Sequence, residues 1–224
     1  MNRVVKLPRS FYDRGTLDVA TDLLGKVLVH RRRGVVTSGI IVEVEAYIGE
    51  ADPACHAATG RSRRNEPLYG PPGYAYVYLN YGIHRLVNVV TEAQDSPAAV
   101  LIRALDPLEG IASMRRRRGR AMKGRQRALD PSALPAHDLC RGPGNLTMAM
   151  GITLAENRLD LGGDRLFIED HRLGTPPIAW GPRIGINVGT QSPWRACVVG
   201  NASVSGPRTA ASPPRSAKRP EVAL

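Results

Sequence analysis

The sequence predicts an α+β protein: a single mixed domain in which a curved, mainly antiparallel sheet is flanked by helices and carries a protruding β-hairpin. Three observations favour this fold class. Segments that alternate apolar and polar residues are joined by turns, which is typical of antiparallel strands. Helical segments lie between some of them. A chain of 224 residues with 42% apolar residues is sufficient for one sizeable core. We expect the folded domain to span residues 1–205.

The N-terminal residues predict a helix followed by a β-hairpin. Thr16 suits the N-cap of the helix, Asp18 its first turn and Gly25 the position after its end. Residues 26–31, KVLVHR, then predict a strand, and the apolar run after Gly34 predicts a second strand beside it. These two strands begin the antiparallel sheet.

Residues 41–50, IVEVEAYIGE, place two carboxylates in the second strand. Because side chains alternate across a strand, Glu43, Glu45 and Tyr47 share one face, and Ile41 would share it too. A carboxylate with apolar neighbours loses solvation, and such a group can act as a general base on a water molecule. The alternative is that both glutamates face solvent at a sheet edge.

A long loop is predicted over residues 49–73, which are rich in Gly, Pro, Arg and Asp and show no periodicity. It contains His56, followed by a polar cluster with Arg61, Arg64 and Asn65. Arginines on a loop beside a strand-borne carboxylate are typical of phosphate contacts around a reaction centre. The alternative is a solvated loop in which His56 is an ordinary core or surface histidine.

The segment YAYVYLNYG predicts a hairpin with an aromatic tip at residues 80–82. Tyr74, Tyr76 and Tyr78 share one face of its first strand. Alternating tyrosines are most often a packed sheet face. Tyr81, however, is poorly placed for a core and well placed to wedge between nucleic-acid bases or to stack on one.

Residues 98–105, AAVLIRAL, predict a further strand. Residues 106–109, DPLE, have the pattern of a helix start, with Asp at the cap, Pro first and Glu third. The helix that they open contains four consecutive arginines in MRRRRGR. Four adjacent helical positions cannot all face one direction, so the run predicts a solvated surface. Non-specific contact with phosphates is the alternative.

The rest of the chain predicts short elements and a tail. Residues 119–136 form a basic, Pro-bearing segment without periodicity. Residues 144–151, GNLTMAMG, predict a short helix capped by Asn145 and ended by Gly151, and short strands follow around RLFIED and RIGINVG. Residues 206–224 are polar, basic and Pro-rich, so they predict a disordered tail.

The charge balance favours a polyanionic partner. Lys and Arg number 31 against 20 Asp and Glu, a formal net charge of +11. Arginines far outnumber lysines, and arginine suits bidentate contacts with phosphate. GC-rich coding sequence also raises Arg together with Ala, Gly and Pro, so charge alone leaves a nucleic-acid partner open.

Other features exclude some classes of protein. Cys55, Cys140 and Cys197 are isolated, so they predict neither a disulfide framework nor a zinc site. The sequence has no apolar run long enough to span a bilayer, and its N-terminus lacks the apolar core of a secretory signal. We therefore expect a cytoplasmic protein without membrane contact, associated with the nucleoid if the source is a bacterium.

Seven motifs occur in order: IVEVEAY, the His of ACHAA, RRN, YVYLNYG, VNVV, LIRALDPLEG and LCRGPGNL. Their order and spacing resemble those of the alkyladenine (3-methyladenine) DNA glycosylase family over nearly the whole folded chain. The resemblance implies a glycosylase domain that flips alkylated or deaminated purines out of duplex DNA. It would then hydrolyse their N-glycosidic bonds in base excision repair. Flipping fits this chemistry because the sugar C1′ is inaccessible inside a stacked duplex.

The resemblance also implies roles for individual residues. Glu45 matches the family's catalytic acid, which deprotonates the attacking water, and Arg103 matches a residue that holds this water or the adjacent phosphate. Tyr81 matches the residue that intercalates into the gap left in the duplex. The residues matched to the pocket around the flipped base are Tyr47, His56, Tyr78 and Asn88, and those expected at the DNA backbone are Arg61, Arg64 and Asn65. Asn88 would crowd the amino group of guanine. Glu43 is left without an assigned role.

The implied enzyme is monofunctional, because lyase-type glycosylases need an amine nucleophile and the motifs have no lysine near them. The lysines are Lys6, Lys26, Lys123 and Lys218. Activation of water would then require no cofactor and no metal. The expected partner is damaged double-stranded DNA. We expect a monomer, since one site reads one flipped base.

Two alternatives remain open. A non-catalytic DNA- or RNA-binding relative with the same fold would need the aromatic residues but not Glu45, so retention of this acid disfavours it. A hydrolase of nucleosides or other small molecules would have no need of the net positive charge or of Tyr81.

Overall fold

The computed structural model describes residues 4–122 and 134–206. Within these ranges the strands are β1 (Val5–Lys6), β2 (Val27–Arg32), β3 (Val35–Ile48), β4 (Ala75–Asn80), β5 (His84–Val90), β6 (Ala98–Glu109), β7 (Leu166–Asp170), β8 (Ile178–Gly181) and β9 (Arg195–Val198). The α-helices are α1 (Arg9–Tyr12), α2 (Thr16–Leu23), α3 (Ile111–Met122), α4 (Ala136–Leu139) and α5 (Pro143–Met150). Short 3₁₀ helices cover His56–Thr59, Glu66–Tyr69 and Leu154–Glu156. Most of the predicted basic segment and tail, residues 123–133 and 207–224, lies outside the described residues.

The described strands form one antiparallel sheet in the order β1-β7-β2-β3-β6-β5-β4, with β9 also paired to β3 and β8 paired to β9. The long strand β3 organises this sheet. One edge of β3 pairs with β6; the other pairs first with β2 and then, at Glu43–Glu45, with β9. The antiparallel sheet and its helices confirm the predicted α+β class, and β2 and β3 form the predicted hairpin.

The register between β3 and β6 shifts on both sides of Glu43. Ile41 packs in the main core together with Val44 and Ala46. Ile41 therefore does not share the face of Glu43, and the prediction from strict alternation is wrong at this point. A β-bulge adds a residue to one strand and changes which face the following side chains occupy.

The two faces of the sheet carry different cores. The main core includes Val77 of β4 and lies between the sheet and the helices α2, α3 and α5. A second cluster on the other face includes Tyr76 and Leu68, with Tyr78 packed against it. The predicted alternation along the tyrosine strand is therefore confirmed. The second cluster lies beneath the loop of residues 49–73, which is ordered by two short 3₁₀ helices.

The predicted helix start at residues 106–109 is wrong. Strand β6 continues through Glu109, and α3 begins at Ile111. Pro107 is tolerated because it lies next to a register shift with β3, where a missing N–H costs little. Gly110 makes the turn, with a φ of +77°. Any other residue would place its Cβ 2.4 Å from the carbonyl oxygen of Val36, so glycine is required here. Pairing with β3 thus overrides the local cap pattern.

Two predicted helix caps are also wrong. Thr16 is the first residue of α2 and not its N-cap, and α2 has no side-chain cap bond. The Thr16 hydroxyl bonds instead to Glu92 and Thr91. Asn145 lies within α5, where its amide donates to the carbonyl of Arg141 at 2.8 Å. The predicted end at Gly151 is confirmed by its left-handed conformation, with φ of +75°.

The strand predicted around RIGINVG is absent from the described residues 182–194, which form a loop between β8 and β9. Gly185 and Gly189 have φ of +78° and +62°, which strands do not accommodate. The strand predicted around RLFIED is confirmed as β7. The loop of residues 182–194 forms one wall of a cavity.

The arginine run of α3 is only partly a solvated surface. Arg115, Arg117 and Arg118 donate to the carbonyl oxygens of Leu134, Ala149 and Leu139. Two of these carbonyls lie in the last turns of α5 and α4, where unpaired carbonyls and the helix dipole favour a cation. The run therefore anchors α3 against its neighbours.

No helix within residues 4–122 and 134–206 combines the length and apolar character needed to cross a membrane.

Candidate active site

A cavity of about 520 Å³ opens on the face of the sheet that carries the second core. The hairpin β4–β5, the loop of residues 49–73, the start of α5 and the loop of residues 182–194 surround it. Its aromatic and imidazole lining consists of Tyr47, His56, Tyr76, Tyr78, Tyr81 and His84. Polar groups are contributed by Asn80, Asn88, Arg103 and Asn145. This volume and mixed lining are typical of a site for a small organic group.

Glu45 lies directly behind the cavity wall and is fully buried. Its Oε1 accepts a hydrogen bond from the backbone N–H of Ile184 at 2.7 Å. Its Oε2 accepts from the Tyr47 hydroxyl at 2.8 Å and lies 3.1 Å from Nη1 of Arg103. These three partners all line the cavity. The carboxylate is therefore separated from the cavity only by its own hydrogen-bond donors.

Arg103 connects Glu45 to the second carboxylate of β3. Its Nε donates to Oε1 of Glu43 at 3.0 Å, and its Nη2 donates to the Ser205 hydroxyl at 3.3 Å. The register passes from Glu43 opposite Ala104 to Val44 opposite Ile102, which leaves Arg103 at the bulge. Burial opposes the charge of Arg103, but Glu45 and Glu43 outweigh it and raise its pKa.

Glu43 holds the layer behind the catalytic candidates together. Its Oε1 also accepts from Nε of Arg195 at 2.6 Å and from the Ser205 hydroxyl at 2.9 Å, and its Oε2 accepts from the Ser205 N–H at 2.6 Å. Sequence reasoning missed Arg195 and Ser205, because no local pattern connects them with β3. Glu43 therefore holds Arg103 and Arg195 in place, and it does not itself line the cavity.

The aromatic walls contact one another closely. Nδ1 of His56 lies 2.8 Å from the Tyr76 hydroxyl, and the His56 ring lies 4.5 Å from the Tyr78 ring, edge to face. Burial, and then Arg64, lower the pKa of His56, while burial raises that of Tyr78 to about 12. These walls are therefore uncharged near neutral pH. Tyr76 was missed as a site residue, although the tyrosine alternation already placed it on the face of Tyr78.

Asn88 lies in β5 opposite Tyr76 and lines the floor of the cavity. It is buried, and its amide donates to the carbonyl oxygen of Tyr76 at 3.0 Å. The structure thus brings the four residues predicted for the base pocket, together with Arg103, around one cavity. Their individual roles stay predictions.

Tyr81 is located at the tip of the hairpin, as predicted, with 83% of its surface exposed. Tyr81 and Gly82 have φ of +48° and +70°, and the N–H of Ile83 donates to Asn80 across them. Two positive φ values and this bond are typical of a type I′ turn. The turn directs an exposed aromatic ring to the mouth of the cavity.

The residues predicted at the DNA backbone have different surroundings. Asn65 is buried, and its amide donates to the carbonyls of His56 and Gly60, at 2.8 Å each. Its side chain stabilises the loop, so the predicted phosphate contact by Asn65 is not supported. Arg64 is exposed, with its guanidinium 5.9 Å from the ring of Tyr78.

Arg61 is half-exposed and already paired with carboxylates. It makes two bonds to Glu66, at 2.9 and 2.7 Å, and one to Asp95 at 3.1 Å. A phosphate would have to compete with both acids. Of the three predicted backbone contacts, Arg64 is the one that the geometry favours most.

Among the described residues, no group of three or more His, Cys, Asp or Glu side chains is placed to hold a metal ion.

Comparison with known proteins identifies the family of the chain. The sequence model of the family described as Methylpurine-DNA glycosylase (MPG) matches residues 10–202. A protein of Burkholderia lata is 45% identical over 206 residues, covering 91% of this chain and 92% of the relative. One of Rhodopseudomonas palustris strain HaA2 is 46% identical over 201 residues, 90% of both chains. One of Chlorobium phaeobacteroides is 45% identical over 203 residues, 90% of this chain and 96% of the relative.

All three relatives carry the name "Putative 3-methyladenine DNA glycosylase". The family model covers most of the chain, and the similarity to these relatives extends over nearly their whole length. The chain belongs to the methylpurine-DNA glycosylase family.

Proposed function

We propose that the protein is a monofunctional DNA glycosylase that removes alkylated or deaminated purines, of the 3-methyladenine type, from duplex DNA. One observation carries this proposal: the buried carboxylate of Glu45 lies directly behind an aromatic cavity that is large enough for a purine. Family membership and the names of the relatives support the same reaction class.

The cavity suits a flipped, cationic base. Tyr47, His56 and Tyr78 offer aromatic surfaces that are neutral near pH 7, and a cation is attracted to the face of such rings. Base stacking on aromatic side chains contributes about 1–3 kcal/mol for each contact. Because the lowered pKa of His56 keeps its ring uncharged, the ring does not repel a positively charged purine.

Glu45 would act as the base in hydrolysis. A water molecule attacks C1′ of the deoxyribose, and its proton passes to the Glu45 carboxylate. The electron pair of the glycosidic bond leaves with the purine, so a cationic alkylated purine departs as a neutral base. The negative charge of Glu45 would also stabilise the positive charge that develops on the sugar. Arg103, held by Glu43 and lining the cavity, would orient the water or the adjacent phosphate.

Tyr81 would hold the duplex open while the base occupies the cavity. Its exposed ring at the hairpin tip can fill the gap that flipping leaves in the stack. The net charge of +11 would attract DNA, and the exposed Arg64 beside Tyr78 is placed to meet a phosphate near the flipped nucleotide.

The contacts of two lysines support a monofunctional mechanism. The Lys6 ammonium lies 2.5 Å from Asp164, and that of Lys26 lies 2.8 Å from Asp170. Neither lysine lines the cavity. Lys123 and Lys218 lie outside the described residues. We further infer a monomer, since one site reads one flipped base, and a cytoplasmic protein that is associated with the nucleoid if the source is a bacterium.

A non-catalytic DNA-binding relative is the second candidate, and one observation favours it. Both oxygens of Glu45 are already occupied by donors, and the carboxylate itself is not exposed. A carboxylate that only stabilises the pocket would have the same contacts. Catalysis therefore requires that at least one of these donors yields, or that a water molecule reaches Glu45 beside them.

The test is release of free purine from methylated duplex DNA without added metal. The glycosylase should release 3-methyladenine and leave abasic sites, and borohydride should trap no covalent enzyme–DNA adduct. Unmethylated DNA is the control for nonspecific depurination. Salt-dependent DNA binding without base release would support the binder instead, and a trapped adduct would contradict the monofunctional mechanism.

A further inference from the structure

A buried ion pair joins two walls of the cavity. Nη1 and Nη2 of Arg183 lie 2.6 and 2.7 Å from the two oxygens of Asp52, and both side chains are almost fully buried. Asp52 belongs to the loop of residues 49–73 and Arg183 to that of residues 182–194. Because burying two charges is costly, such a pair needs good geometry and further hydrogen bonds.

Arg183 makes these further bonds. Its Nη1 donates to the carbonyl of Ala46 in β3 at 3.0 Å, and its Nη2 donates to that of Gly189 at 3.2 Å. A Cβ on Gly189 would lie 3.0 Å from Nη2, and its φ is +62°, so a glycine is favoured here on two grounds. The guanidinium also lies 4.7 Å from the Tyr47 ring and 5.1 Å from that of Trp194.

Two of the three donors to Glu45 depend on this arrangement. Ile184, which follows Arg183 directly, donates its N–H to Oε1 of Glu45 at 2.7 Å. Tyr47, which Arg183 covers, donates its hydroxyl to Oε2 at 2.8 Å. The ion pair itself touches neither the carboxylate nor the cavity.

We propose that Asp52 and Arg183 are positioning residues for base excision: their ion pair holds Ile184 and Tyr47 in register with Glu45. The proposal rests on the proposed function, in which Glu45 is the base. Without the pair, the loop of residues 182–194 would lose its fixed distance from β3, and the Ile184 N–H would leave the carboxylate.

A merely structural ion pair gives a different expectation. Removing it would lower the stability of the fold and leave the rate of base release from bound DNA unchanged. A positioning pair also sets the orientation of the Glu45 carboxylate, because two of the donors that hold this carboxylate depend on the pair. Losing these donors lowers the rate constant of base release from bound DNA and leaves the affinity for DNA unchanged.

Substitutions in the pair separate geometry from charge. Asp52→Asn keeps the size of the side chain but removes the negative charge that pairs with Arg183. Arg183→Lys keeps the positive charge but cannot make the bidentate contact with Asp52. Gly189→Ala alters neither charge and crowds Arg183, so it supplies a third variant if another fails to fold.

Several charged or titratable groups other than the ion pair lie near Glu45 and are left unchanged by all three substitutions. They are Glu43 and Tyr47 in β3, Tyr78 in β4, Arg103 in β6 and Arg195 in β9. His56 lies across the cavity and is likewise unchanged.

The experiment measures the single-turnover release of 3-methyladenine from methylated DNA at neutral pH, together with the affinity for the same DNA. We expect the rate constant to fall by about 10- to 100-fold in Asp52→Asn, Arg183→Lys and Gly189→Ala, with little change in DNA binding.

Glu156→Gln is the matched control, since Glu156 is also fully buried and ion-paired but lies outside the cavity. It should reduce the melting temperature and leave the rate constant of base release unchanged. Rate constants that stay at the wild-type value in the three pair variants, or that fall equally in Glu156→Gln, would overturn the proposal. If instead Glu45→Gln still released base, the proposed function would fail, so the two failures are distinguishable.

Discussion

The guanidinium of Arg103 joins the two carboxylates of β3. Its Nε donates to Oε1 of Glu43 at 3.0 Å, and its Nη1 lies 3.1 Å from Oε2 of Glu45. All three side chains are buried. The position of Arg103 beside the candidate base therefore depends on Glu43, which has no access to the cavity itself.

Replacing Glu43 with Gln should destabilise the fold and slow base release together. The substitution leaves Arg103 and Arg195 without their shared buried carboxylate. Breaking a buried ion pair costs about 3–5 kcal/mol, and urea unfolding would measure the loss. The control is Glu66→Gln, whose partner Arg61 is half-exposed, and which should leave stability unchanged. Equal effects of the two substitutions would contradict this assignment.

Replacing Tyr81 with Ala should weaken binding to lesion-containing duplex without destabilising the protein. The ring is 83% exposed, so it contributes little to folding. Loss of one base–aromatic contact costs about 1–3 kcal/mol, which raises the Kd by about 5- to 150-fold. Tyr81→Phe keeps the ring and should retain most of the affinity. An unchanged Kd in the Ala variant would show that the tip does not enter the duplex.

Replacing Arg64 with Gln should reduce the salt dependence of DNA binding. An exposed arginine that contacts one phosphate changes the slope of log Kd against log salt by about 1. Arg61→Gln is the comparison, because Arg61 is held by Glu66 and Asp95 and should change the slope less. We expect a clear difference between the two variants, and a larger effect at Arg61 would contradict the assignment of Arg64 to a phosphate.

One buried histidine, His30, and one half-buried histidine, His56, should make the fold less stable in mild acid. Burial lowers the pKa of His30 and of His56 below the ordinary 6.5, and Arg64 lowers that of His56 further. As the pH falls through about 6.5, both rings take up protons in the unfolded chain before they do so in the folded one. The unfolded state then binds more protons, so stability falls with the pH.

Urea unfolding between about pH 7.5 and about pH 5 measures this effect above the range in which carboxylates titrate. The loss of stability should be smaller in a variant with both His30→Gln and His56→Gln. An equal loss in that variant would assign the acid sensitivity to other groups.

Periodicity predicted much of the sheet and part of the site. Alternation placed Glu45 beside Tyr47, and the structure brings their side chains within 2.8 Å. Alternation also placed Tyr76 and Tyr78 on one face, and turn chemistry placed Tyr81 at an exposed tip. These features depend on neighbours along one strand or hairpin, which a single sequence contains.

The errors arise where pairing between distant segments overrides a local pattern. The DPLE motif at residues 106–109 looks like a helix cap, but these residues remain in β6 because they pair with β3. Ile41 was placed on the wrong face, since a bulge depends on both strands. The amide of Asn65, a residue predicted at the DNA backbone, donates to carbonyls of its own loop, a contact that the local pattern did not predict.

The residues missed behind the site share a different property. Arg183 and Ser205 reach their partners Asp52 and Glu43 across 131 and 162 residues of chain. No spacing rule applies to contacts at such separation. An arginine or serine in a loop looks the same in sequence whether it faces solvent or a buried carboxylate.

The most direct test of the account is the single-turnover rate of 3-methyladenine release by the Glu45→Gln variant, measured with its affinity for the same DNA. Glutamine keeps the size of the side chain and one acceptor oxygen, but it cannot accept the proton of water, and it leaves Arg103 without a buried carboxylate partner. We predict that release falls to the uncatalysed rate while DNA binding stays close to that of the wild type, and that the melting temperature falls. Release at the wild-type rate by this variant would contradict the claim that Glu45 is the base.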